Sequence, residues 1–307
     1  MRKLPFVLPA LLAALLPLGA EPFLPLPRWW EPAGLEFFRD AYPDIEIHSE
    51  YDRAASDWRI RISVPQADGS ARHETLWWCG SRLLPEEQLS ARQDFRPMLY
   101  SYPDAVPDPA GFSDEFIESI RERTSSESRK NGPASPPYFF DAVYDCATQA
   151  AAESHIKRVD FLNRSVNVHE KLEAPLKRVS ERILALAGED EEIRQFLETL
   201  VRTDGFQWRT VRDTSARSFH SIGLAVDILP RGYYQRIIYW NWQKQIDPEG
   251  WMLTPLSKRW TPPEQVIRIF EEEGFIWGGK WMVWDNMHFE YHPELILFNA
   301  RRTPPAP

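Results

Sequence analysis

Cysteine is scarce, with only Cys79 and Cys146 in 307 residues. Two thiols are too few for a thiolate zinc site, and they permit at most one disulfide. One disulfide and a pair of buried free thiols both stay open, since a sequence carries no sulfur–sulfur distance. A basic surplus is also missing: 36 Lys and Arg stand against 45 Asp and Glu, for a formal charge of −9. That balance argues against a nucleic-acid partner, because no cationic excess is available to displace phosphate counterions. Past the first twenty residues no apolar run is long enough to cross a bilayer, and no internal repeat is visible.

What remains is the composition of a soluble globular chain, 43% hydrophobic and 26% charged, sufficient for one large domain or two modest ones. The 13 Trp and 17 Phe thicken toward the C-terminus. Residues 1–20 read as an export signal: Arg2 and Lys3, an apolar stretch from Leu4 to Leu18, then Gly19-Ala20 before Glu21. An uncleaved anchor is the alternative, since Leu18 sits at the −3 position of the presumed cut. Neither Cys lies at that cut, which argues against a lipid anchor. The expected destination is periplasmic or extracellular, with no stable membrane span once the signal is removed.

Residues 21–110 carry strand signals. Ile45 to His48, Trp58 to Ile62 and His73 to Cys79 alternate, and Asp68-Gly69 supplies a hairpin turn. This segment is either a meander packed on the rest or a separate module. Residues 111–150 read as linker and short helix, with Ser113 capping a helix and Thr124 to Pro137 a polar loop. From about Asp141 the pattern reads as helical. Leu176, Val179, Ile183 and Leu186 form one stripe and Ile193, Phe196, Leu197 and Leu200 another. A third helix is expected with Thr261 as N-cap, Glu264 closing a capping box and Gly274 at its end. Glu271 to Glu273 read as a solvated face.

The chemistry lies in two strand-like motifs. With Gly223 to Ile228 extended, Ala225 and Asp227 share one face, and a turn at Gly223 brings His220 toward Asp227. With Met287 to Tyr291 extended, His288 and Glu290 share a face. Adjacent strands would let His220, Asp227 and His288 converge, and two imidazoles with one carboxylate suit Zn²⁺ with a position left open for water. Hydrolysis then needs a separate carboxylate to move the proton, and Asp285 is the candidate. Its parity differs from that of His288, so a bend or bulge must intervene. A cation is also needed, and Arg209, Arg212 and Arg217 lie just upstream. His288 and His292 have i, i+4 spacing, but Pro293 argues against a helical zinc motif, so His292 reads as a strand-end or surface residue.

These residues resemble the zinc D-alanyl-D-alanine carboxypeptidase and L-alanyl-D-glutamate peptidase family, which shares its metal-site fold with the Hedgehog signalling domain. The family pattern S-x-H-x-x-G-x-A-x-D is met by Ser218, His220, Gly223, Ala225 and Asp227, and its acid-x-x-His-aromatic half by Asp285, His288 and Phe289. The resemblance spans roughly 156–294 and does not reach residues 21–150. It implies one Zn²⁺ per chain on His220, Asp227 and His288, Asp285 as general base, and Arg209 for substrate or oxyanion contact. It also implies a zinc peptidase domain over residues 151–300 that acts on peptidoglycan stem peptides. The expected fold is α+β, a small, mainly antiparallel sheet flanked by helices (the Hedgehog and DD-peptidase type) with an N-terminal β-rich segment. Carboxypeptidase members resemble E-x-W-H, whereas Asp285-x-x-His288-Phe289 looks closer to the L-alanyl-D-glutamate-type endopeptidases. A catalytically silent wall-binding protein that keeps the metal is the runner-up, and hydrolysis of short D-amino-acid dipeptides a third reading.

Some roles stay open at this level. Ser218 either hydrogen-bonds a ligand or holds the turn. Glu290 orients His220 or His288, or forms a structural ion pair. Trp281, like Trp277 and Trp284, either walls a substrate cleft or closes the core.

Overall fold

The computed structural model describes residues 31–214 and 216–302; the export-signal reading of residues 1–20 lies outside them. The alternating segments near the start form the expected meander. Helix α1 (Leu35–Ala41) leads into β1 (Glu46–Asp52), β2 (Asp57–Pro65), β3 (Ala71–Trp78) and β4 (Leu83–Leu84), ordered β1-β2-β3-β4. Ile47 lies opposite Ile62 and Ile60 opposite Leu76, so one face is a continuous buried apolar surface. Gly69 turns the β2–β3 hairpin at a φ of 84°, which its missing Cβ permits.

Ser113 caps α2 (Asp114–Arg123) as expected, its Oγ accepting from Phe116 N at 3.2 Å. The stretch read as a polar loop instead contains α3 (Ser126–Asn131). Ser125 caps it, Glu127 sits in its first turn and Arg129 and Lys130 in its last, an arrangement that suits the helix dipole. After α4 (Tyr138–Tyr144) and α5 (Gln149–Ser154), the expected helical pattern gives way to a hairpin, β5 (Ile156–Phe161) and β6 (Arg164–His169). Its two-residue turn, Leu162-Asn163, has both φ angles positive, matching the strand twist, and Val159, Phe161, Val166 and Val168 alternate into the core.

The two apolar stripes build α6 (Glu173–Ala187) and α7 (Glu191–Thr199), the latter capped by Asp190. The main sheet follows from β7 (Leu200–Asp204) and β8 (Ala225–Pro230). Next come α8 (Trp240–Ile246), α9 (Glu264–Glu272), β9 (Phe275–Trp277), β10 (His288–Tyr291) and α10 (Pro293–Arg302). Strand order is β7-β8-β10-β9 with every pairing antiparallel. The fold is α+β. The capping box predicted for α9 does not form: consecutive Pro262 and Pro263 hold the chain extended, so the helix starts after Pro263 and Glu264 is its first residue. Gly274 does end it, at a φ of 91°. Of the run Glu271 to Glu273, Glu272 is exposed as a solvated face requires, but the other two are not. Glu271 binds Lys280 and the Tyr102 hydroxyl, and Glu273 takes Arg178 and Arg182.

One apolar core runs through both sheets and includes Leu35, Ile60, Phe139, Leu176, Val226, Phe270 and Phe289. A second cluster joins Ile120 of α2 to Trp240, Trp251, Met252 and Trp284. Trp277 and Trp284 are core residues, each only 1% exposed. Among the described residues no helix is long and apolar enough to cross a membrane. Both cysteines are buried free thiols, which resolves the disulfide question left open by the sequence. Alkylating the unreduced, denatured protein is therefore expected to add two adducts by mass, while the native protein reacts slowly; a denatured, unreduced chain that takes up no reagent would contradict the thiol assignment.

Candidate metal centre

The centre is assembled by strand register and one tight turn. In the β8–β10 ladder His288 lies directly opposite Asp227, and Phe289 opposite Val226. Side chains alternate between faces, so this register sends Val226 and Phe289 into the core and leaves Asp227 and His288 together on the other face. His220 enters from a 3₁₀ turn (Phe219–Ile222) just before β8. Ser218 starts that turn, its Oγ accepting from His220 N at 3.3 Å, which is the turn-holding role. Gly223 ends it at a φ of 68°; a Cβ there would lie 2.5 Å from His169 N, so both the angle and the space call for glycine.

Three donor atoms meet. His220 Nε2 lies 3.3 Å from Asp227 Oδ1 and 3.1 Å from His288 Nδ1, and His288 Nδ1 lies 2.8 Å from the same Asp227 oxygen. The outer nitrogen of each ring is committed elsewhere. His220 Nδ1 donates to the Gly205 carbonyl at 2.6 Å, and His288 Nε2 donates to Glu290 Oε1 at 2.9 Å. These outer bonds commit one nitrogen of each ring, so both inner nitrogens are aimed at one point alongside a carboxylate and can present lone pairs there to a cation that displaces the proton. Three converging acceptors demand a positive charge between them. A four-coordinate ion with bonds of about 2.0–2.1 Å separates neighbouring donors by roughly 3.3–3.4 Å, close to the spacings here. His220, Asp227 and His288, all buried, thus form a group that could hold a metal ion.

The electrostatics agree. Burial would raise the Asp227 carboxyl, but the two imidazoles outweigh it and hold it far below the usual range. Burial would lower His288, yet hydrogen bonds to Asp227 and Glu290 raise it well above an ordinary histidine. The pocket favours positive charge.

Asp285 reaches the same region by the required bend. It forms a single bridge with Tyr239, its N–H donates to Gly278 O at 3.0 Å, and a turn at Asn286-Met287 separates it from β10. Burial first, and then the Asp227 charge, push its carboxyl up to about 7. Its Oδ1 is buried without a hydrogen-bond partner among the described residues. Arg209 is exposed, and its backbone is tied to the turn: its N–H donates to Ser221 Oγ at 2.9 Å and its carbonyl accepts from Ser218 N at 3.1 Å. Trp281 is half-buried, its ring centroid 5.6 Å from that of His288. A cavity of about 560 Å³ opens on His220 and Asp227, with Arg158, Asn167, Arg202, Gln207 and Arg209 on its wall; Trp281 and Asp285 do not line it.

Two contributors escaped the sequence. Gly205 supplies a backbone carbonyl and sits so close to Asn167 that a Cβ would fall 2.0 Å from its carbonyl oxygen; a main-chain acceptor leaves no side-chain signal. His292 stands at the end of β10 as expected, but it is not on the surface. It is 6% exposed, with Nδ1 donating to Glu294 at 2.8 Å and Nε2 facing Glu290 at 3.4 Å. Pro293 starts α10, whose Glu294 pairs with His292, and the rings of Phe140 and Phe219 pack on the imidazole. Glu290 therefore serves His288 and an ion pair at once, and it does not contact His220 in any hydrogen bond or ion pair found here.

The fold is α+β and carries a buried His–Asp–His group beside an antiparallel sheet. Residues 212–291 match the protein family described as D-alanyl-D-alanine carboxypeptidase, which supports a peptidase. The match takes in His220, Asp227, Asp285 and His288, and leaves Gly205 and Arg209 outside. Residues 34–101, which hold the meander, match a family described as a domain of unknown function. No curated protein and no solved structure gives a match.

The two carboxylates around His292 outweigh its burial and raise its pKa from 6.5 to about 9. A group raised on folding contributes stability that is complete below its unfolded pKa and is lost as pH climbs through its folded one. His292→Gln should therefore destabilise the protein more at about pH 6 than at about pH 10, read from urea midpoints at both pH values. Equal losses at the two would refute the assignment.

Proposed function

We propose that the protein is a zinc-dependent peptidase that hydrolyses peptide bonds in peptidoglycan stem peptides, with one Zn²⁺ per chain held by His220, Asp227 and His288. The observation that carries this reading is the meeting of three buried donors with both outer ring nitrogens already committed. When bound, zinc supplies Lewis-acid polarisation of the scissile carbonyl and lowers the pKa of the attacking water.

The chain's own residues do the rest. Asp285 accepts the proton of the attacking water and delivers it to the leaving amine. A carboxyl raised to about 7 suits both steps, since it is basic enough to take the proton and acidic enough to return it. Its unpartnered Oδ1 supports this role over a silent wall-binding protein. Arg209, exposed at the cavity wall, donates to the developing oxyanion or to a substrate carboxylate. Arg158 and Arg202 share that wall, Arg202 paired with Asp204 and Arg158 donating to Ser165 at 2.8 Å. Asp204 lines the wall too and offsets Arg202, so Arg158 and Arg209 are the cations that suit a carboxylate-bearing peptide, as stem peptides are. The Trp281 ring lies beside His288, their centroids 5.6 Å apart. The Asp-x-x-His-Phe form of the second motif favours the L-alanyl-D-glutamate-type bond over the terminal D-alanyl-D-alanine bond. The same reading makes the chain an exported one, working where peptidoglycan lies.

Digestion of defined muropeptides, analysed by mass, tests both activity and bond. Asp285→Asn should lower kcat by about 100-fold or more while metal analysis still finds zinc, whereas Asp227→Asn should lose both. Full activity in Asp285→Asn, or no cleavage of any muropeptide by the zinc-loaded protein, would overturn the proposal. The acid limb of kcat/KM should fall at or below about 7, because Asp285 works as a base and must lose its proton first. An activity that rises on acidification through that range would exclude Asp285 as the base.

A further inference from the structure

Beyond Glu290 the chain of polar contacts does not stop, continuing through an ion pair and then hydrogen bonds. Glu290 presents one oxygen to each of two imidazoles, Oε1 to His288 Nε2 at 2.9 Å and Oε2 to His292 Nε2 at 3.4 Å. His292 Nδ1 donates to Glu294 Oε1 at 2.8 Å, and the Tyr42 hydroxyl donates to Glu294 Oε2, also at 2.8 Å. The far links are shielded from solvent, Tyr42 at 4%, Glu294 at 0% and His292 at 6% exposed, and the Glu290 side chain is 15% exposed. Phe140 and Phe219 pack their rings on His292 at centroid distances of 5.5 and 4.4 Å. Tyr42 directly follows α1 and belongs to the stretch that matches the domain of unknown function.

We propose that Tyr42, Glu294 and His292 are positioning residues for the metal centre, acting through Glu290 on His288, and that the N-terminal segment's part in the protein includes supplying the Tyr42 hydroxyl to this relay. A carboxylate bound through one oxygen can swing about its own bond; bound through both, it holds a fixed plane. His292 thus fixes the plane of Glu290, and Glu290 fixes the tautomer and tilt of His288, leaving Nδ1 aimed at the point shared with His220 and Asp227. Glu294 holds His292 from the far side, and Tyr42 occupies the second oxygen of Glu294. Ordered partners matter here because a buried charge that loses one finds no water to replace it. A contact serving packing alone would not need a polar atom at each of these steps.

The proposal rests on the metal-centre reading, and zinc affinity of the full chain separates the two. Affinity is measured by competition with a chromophoric chelator for the wild type, His220→Ala, Glu290→Gln, His292→Gln, Tyr42→Phe, and the double variants of Glu290→Gln with each of the last two. Thermal melts identify the folded variants. Glu290→Gln and His292→Gln are expected to weaken zinc binding by about tenfold or more, and Tyr42→Phe by about threefold. In the Glu290→Gln background His292→Gln and Tyr42→Phe should add nothing beyond about twofold, because the relay is already cut. A purely structural role would move the melting temperature and leave the affinity alone. Folded Tyr42→Phe and His292→Gln proteins that bind zinc like the wild type, or effects that multiply in the double variants, would overturn the relay while His220→Ala still loses zinc. A wild type that binds no zinc would remove the metal centre and the relay with it. Should His292→Gln not fold, Tyr42→Phe and its double variant decide alone.

Discussion

The arrangement depends on one register, the pairing of His288 with Asp227 across β8 and β10. A slip of β10 by one residue would turn His288 into the core and bring Phe289 out, while Asp227 kept its place on β8. The core prevents it. Phe289 stacks on Phe270 with centroids 3.8 Å apart and lies opposite Trp277 on β9, and every residue of β8 is buried. The apolar face therefore holds the polar face in alignment, and clustering three acceptors, unfavourable by itself, is carried by the packing behind it.

The turn before β8 adds the third donor, and its geometry comes from main-chain contacts. Residues 205–209 run beside it: Gly205 O receives His220 Nδ1, Gln207 N donates to His220 O, and Arg209 exchanges bonds with Ser218 and Ser221. This strap in turn lies against β6, where Phe206 N donates to Asn167 O at 2.6 Å. The hairpin β5–β6 thus shapes the cavity without contributing a metal donor. Under the proposed function, the matched stretch carries the donors and the base, while elements outside it orient them and line the cleft.

The N-terminal meander is not an independent bystander in the described structure. Its apolar face belongs to the same core as β8 and β10, and Tyr42 reaches Glu294. The cluster under α2 is distinct, and there Arg129 of α3 lies over the Trp240 ring and donates to Arg212 O.

Much of this was legible before any coordinates. Strand alternation predicts the meander and the two motif strands; parity puts Asp227 with Ala225 and His288 with Glu290, so that adjacent strands would bring Asp227 and His288 together, and it requires a bend before Asp285. The chain also announced the turn at Gly223, since few residues tolerate its φ. Local signals failed where two patterns competed. The β5–β6 hairpin follows short helices and was read as helical, because its Leu162-Asn163 turn lacks the usual Asn-Gly signature. The α9 cap was misplaced because Thr261 and Glu264 fit a capping box that Pro262-Pro263 prevents. His292 reads as peripheral because the Phe140 and Phe219 rings that cover it come from α4 and from the turn before β8, both far from it in sequence. By itself the sequence determined what periodicity and residue chemistry decide: which side chains share a face and which of them can hold a metal. Only the tertiary structure decided which backbone carbonyl orients His220, that both thiols stay free, and that Tyr42 ends the chain of contacts from His288. Those are meetings between distant segments, and no local pattern encodes them.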